Sequence, residues 1–234
     1  MISGVASADR LRDSATTSVS YERFAGVCAI LTGATGFLYS IAFVVLRSDM
    51  LSALFLTLTG LLGTVTIIGI YARLKQTDES FAMLSLFLGV AGAMGAAIHG
   101  GYDLANTFHP PAAANLDLPS QIDPRGMLTF GVAGLALWVI AWLILRGGQF
   151  PRGLGYLGYI TAVLLIVIYL ALLPLGVDPQ DHDGWTYAAL YAFPFGFFSF
   201  FVLAFGSLGR LVAYSWRKRR GSPPRGAVRG AASS

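Results

Sequence analysis

Six runs of 19 or more residues without Asp, Glu, Lys or Arg constrain this chain more than any motif in it. A helix needs about 20 apolar residues to cross a bilayer. Charged residues make up 12% of the 234 and apolar ones 55%, where a soluble domain carries about 25% charged residues. So few charges cannot cover a globule of this size. In lipid the backbone must satisfy its own hydrogen bonds, and long uncharged runs do so as helices. A barrel requires strands of roughly 10 alternating residues, and no such alternation is present.

The predicted fold is therefore all-α: a polytopic bundle of six transmembrane helices. The spans are predicted at Phe24–Leu46, Leu51–Tyr71, Phe81–Tyr102, Met127–Leu145, Leu154–Leu175 and Tyr187–Val212. Residues 1–23 are polar and expected to be loose, 24–214 form the membrane domain, and 215–234 form a basic disordered tail. The first run exceeds the 7–15-residue core of a signal peptide, so it is read as a retained span. The four residues RSDM between the first two runs demand an antiparallel hairpin. The segment 103–126 carries four prolines and is expected to lack long helices.

Orientation follows from where Lys and Arg fall. Fourteen of sixteen lie on one side of the predicted topology, and only Arg47 and Arg125 lie on the other. The positive-inside rule then places both termini in the cytoplasm, which an even number of crossings also requires. The expected location is the plasma (inner) membrane. Trp142 and Trp216 fall at the predicted inner interface, Trp185 and Tyr187 at the outer one, where amphipathic rings are favoured. The tail begins SWRKRR. A basic cluster beside a span attracts anionic lipid, by about 1 kcal/mol per charge. The expected partners are the bilayer itself, anionic lipid at the tail, and a membrane protein or a second copy of the chain. Nucleic acid is not among them.

Small residues recur inside the runs. Gly89, Gly92 and Ala96 in the third, with Gly60 and Gly63 in the second, are expected to let helices approach closely, since dispersion contacts replace the absent hydrophobic drive in lipid.

All three histidines, His99, His109 and His182, fall on the predicted outer side with seven of twelve acids. His99 and Asp103 are four apart and share a helix face. Imidazole with carboxylate is the chemistry of an acid–base site or of a divalent transition metal. His99, Asp103 and His182 are the candidate ligands, and His99 and Asp103 the candidate catalytic pair. No metal-binding motif accompanies them, and no cofactor is predicted. The single cysteine, Cys28, excludes an intrachain disulfide. No ionisable residue lies at the centre of any span, where coupled transporters place theirs. The leading expectation is a small membrane subunit, binding or accessory protein. A membrane enzyme with an outer His/Asp site is the first alternative, and a transporter or channel for a small neutral solute the second.

Two segments, RFAGVCAILTGATGFLYS at 23–40 and ILRGGQFPRGLGYLGYITAVLLIVIYL at 144–170, resemble an uncharacterised six-span bacterial membrane family, domain of unknown function 4386. That resemblance implies a six-helix inner-membrane protein and carries no assigned activity.

Overall fold

The computed structural model describes residues 3–110, 124–175 and Gly206, with side-chain detail for 21–110, 124–170 and Gly206. Every element among the described residues is helical. Helix α1 covers Ser3–Ser40 and ends in a π-helical turn, Ile41–Val45. Helices α2 and α3 cover Asp49–Leu74 and Glu79–Phe108. Helix α4 runs from Pro124 to Gly147 and contains a π-helical stretch, Met127–Val132; α5 covers Arg152–Leu175.

Five segments within these helices are long and apolar enough to cross a membrane: Tyr21–Val45, Asp49–Leu74, Glu79–Phe108, Pro124–Gly147 and Arg152–Leu170. They contain the first five predicted spans, apart from a few terminal residues. The predicted sixth lies outside the described residues except for Gly206, which is helical and buried. A Cβ added to Gly206 would stand 3.0 Å from the Ile30 amide nitrogen and 3.1 Å from the Gly26 carbonyl, so that residue sits on the backbone of α1.

Local chemistry ends each helix where it ends. Between α1 and α2 the chain turns within three residues, with Arg47 left-handed at φ 48° and Ser48 extended. The Ser48 amide donates back to the Ala42 carbonyl at 3.0 Å. Asp78 caps α3, accepting a hydrogen bond from the Phe81 amide at 3.3 Å, and Glu79 follows in the first turn. Both choices complement orphan amides and the positive end of the helix dipole. Gly148, at φ 62°, closes α4. Glycine takes that left-handed position without a Cβ penalty.

Two expectations change. Residues 3–23 are helical, continuous with the first span. No proline interrupts them, so a helix nucleated in the apolar run extends backward at little cost per residue. Helix α3 also continues past Tyr102 to Phe108. The first proline in that region is Pro110, and the Thr107 hydroxyl donates to the Asp103 carbonyl at 3.0 Å. Asp103 therefore lies within a helix rather than at its end.

Consecutive helices pack side by side, and α3 is the centre, seated against α2 on one face and α4 on another. Leu, Ile and Phe side chains are buried between the helices, as in a soluble domain, but the exterior differs. Large apolar side chains point outward, among them Phe87 (68% exposed) and Ile98 (57% exposed) in α3. Gly, Ala, Ser and Thr fill much of the interior. Lipid makes that arrangement favourable, because tails solvate Phe and Ile as well as a protein core does.

Candidate functional site

The glycines on α3 do what close packing requires. A Cβ on Gly92 would meet Ala133 of α4 at 2.8 Å, and one on Gly89 would meet Ile67 of α2 at 2.8 Å. A Cβ on Gly60 would stand 2.5 Å from the Ala93 carbonyl oxygen and closer still to the Ala97 amide nitrogen. Ala96 is buried beside them. Gly63 differs: its nearest neighbour would be the Ala93 Cβ, at an ordinary 3.6 Å. Gly95, Gly134 and Gly155 make further close approaches, to Leu128, Ile166 and Leu145.

Gly63 borders a partly open cavity of about 90 Å³ between the helices, which Gly60, Gly89 and Gly92 also line. Thr32, Thr59, Thr66 and Thr129 contribute its hydroxyl groups; Phe130 and Leu165 contribute apolar wall. Each hydroxyl has a polar partner within the helices. Thr32, Thr66 and Thr129 donate to the carbonyls of Cys28 (2.8 Å), Leu62 (3.0 Å) and Arg125 (2.7 Å). Thr59 donates to the Thr35 hydroxyl at 2.9 Å. A water molecule needs two to four polar partners to settle in a cavity. These walls offer little to water and suit an apolar guest.

Beyond Thr129, towards the end of the bundle that holds Arg125, lies a polar cluster. His99 is 3% exposed. Its Nδ1 stands 3.3 Å from Thr129 Oγ1, and its Nε2 stands 3.4 Å from Asp103 Oδ2. The other Asp103 oxygen lies 3.5 Å from Arg125 Nη1. The Arg125 guanidinium in turn lies over the Tyr102 ring, 4.1 Å from its centroid, a cation–π contact. Phe130 presents a ring at 76° to the imidazole, with centroids 6.3 Å apart.

The π-helical stretch Met127–Val132 carries both Thr129 and Phe130 to the imidazole. Such stretches often occur at functional sites. Of the sequence candidates, the structure brings His99 and Asp103 together. His182 lies outside the described residues, and His109 caps the end of α3. A guanidinium occupies the far side of the carboxylate, where a bound metal cation would meet like charge. Among the described residues no group of three His, Cys, Asp or Glu is placed to hold a metal ion.

Sequence reasoning missed Arg125 and Thr129 as members of this cluster. The one available signal was their spacing of four, which puts both on the same face of α4.

At the opposite end, Arg73 and Glu22 pair at 2.8 Å, and Arg146 reaches Asp78 at 3.9 Å while lying over the Trp142 ring. Arg73 and Arg146, in the last turns of α2 and α4, thus lie at the same end of the bundle as Glu22 and Asp78.

Span-length apolar helices and an outward-facing apolar surface define a multi-pass helical membrane protein. Compared with known proteins, the chain matches no family model, no curated protein and no solved structure.

Proposed function

We propose that this protein crosses the plasma membrane six times with both termini in the cytoplasm, and acts there as a small binding or accessory subunit. The observation that carries this reading is the cavity among the helices, with its hydrogen-bonded hydroxyls and apolar walls. Its guest is a small apolar molecule, held by dispersion contacts and shape rather than by charge. Lysine and arginine counts support the sidedness. The basic tail supports contact with anionic lipid.

Xenon is a suitable probe, because it binds dry apolar cavities without needing hydrogen bonds. The test is xenon magnetic resonance on the full chain in lipid nanodiscs. A bound-xenon signal that disappears in Gly63→Leu, which fills the cavity, supports the proposal. Absence of any xenon signal beyond that of protein-free nanodiscs removes it.

A further inference from the structure

Of the described residues that line the cavity, Ile67, Ala93 and Ala133 are partly exposed and the rest are buried. Their depth decides what they meet. Ala93 lies 14 residues from the start of α3 and 15 from its end, about 21 Å or more from either at 1.5 Å per residue. Ala133 lies nine residues from the start of α4 and 14 from its end, at least about 13 Å from either. Ile67 stands beside Gly89, one turn along α3 from Ala93. The hydrocarbon of a bilayer is about 30 Å thick, so Ala93 and Ala133 fall near its middle. The cavity is therefore reached from hydrocarbon rather than from water. At that depth a bilayer presents the methyl ends of its acyl chains.

We infer, building on the apolar-guest reading of this cavity, that its guest is the terminal segment of a phospholipid acyl chain, which enters sideways at mid-membrane past Ala93 and Ala133. The walls suit such a chain end. Among the described residues no charged side chain lines the cavity. The hydroxyls of Thr32, Thr59, Thr66 and Thr129 are hydrogen-bonded within the bundle. Lipid tails are as apolar as the walls, so the hydrophobic effect gives entry no drive. The gain is dispersion, because an empty space leaves the atoms around it without contacts on one side. A volume of about 90 Å³ admits the end of a chain and not a whole lipid. The headgroup stays at the bilayer surface, and selection acts on the shape of the chain end.

Photolabelling of the full chain in nanodiscs tests this, with a phosphatidylcholine that carries a diazirine at the methyl end of one chain. Mass spectrometry then maps the adducts. They are expected on buried lining residues such as Thr66 and Leu165 as well as on outward-facing Phe87. Gly63→Leu, which fills the cavity, is expected to lose the lining adducts and keep those on Phe87. Moving the diazirine next to the carboxyl carbon is expected to lose the lining adducts in the unaltered protein too. Adducts on outward-facing residues alone, in the unaltered protein with the methyl-end probe, overturn the inference. So do lining adducts that are equal for the two diazirine positions. A bound-xenon signal without lining adducts removes the acyl-chain guest and leaves the apolar cavity standing, whereas loss of both removes both readings.

Discussion

Gly60 of α2 lies against the Ala93 carbonyl of α3 so closely that a Cβ would stand 2.5 Å from the oxygen. Backbone, not a flexible side chain, fills the space, so the helices must separate to admit even a methyl group. Gly60→Ala is expected to destabilise the fold by about 1–3 kcal/mol, the usual range for overpacking. Gly101→Ala, with nothing within 4 Å of its added Cβ, is expected to stay within about 0.5 kcal/mol. Unfolding followed by a thiol-reactive dye checks both, since the lone Cys28 is buried.

Leu165 is 3% exposed and forms part of the cavity wall. Leu165→Ala enlarges the cavity and costs about 2–5 kcal/mol, the range for large-to-small core changes. The enlarged cavity is expected to recover part of that loss when saturated with benzene. A melting temperature rising with benzene in Leu165→Ala, more than in the unaltered chain, is the measurement.

Arg125 both faces Asp103 and covers the Tyr102 ring. Its planar guanidinium does both at once, which a lysine ammonium does not reproduce. Arg125→Gln is expected to cost roughly 0.5–2 kcal/mol, the worth of a cation–π contact with some desolvation. Arg125→Lys is expected to recover less than half of the loss in the same thermal-unfolding assay. Full recovery by lysine would show that point charge alone matters.

The C-terminal tail is expected in the cytosol. A fluorescent protein that matures only there, fused after Ser234, should light up in whole cells. A periplasm-dependent phosphatase in the same position should stay inactive. The reverse pattern on well-expressed protein would overturn the assignment of sides.

Membrane character, helix number through the fifth span and the pairing of His99 with Asp103 were all legible in the chain itself. Each depends on local properties: uncharged length, breakers between runs, and a four-residue spacing along one helix. The beginning of α1 and the end of α3 were not, because polar residues that tolerate a helix look like loop until an adjacent helix carries them along. What only the tertiary structure decided is which side chains meet across helices. Thr129 reaches His99 and Arg125 reaches Asp103 because α4 lies against α3 at Gly92 and Gly95, with a π-helical stretch carrying Thr129 to the imidazole. Small residues such as Gly92 mark where α3 can be approached closely, but which residues of α4 meet it depends on how whole helix faces interlock.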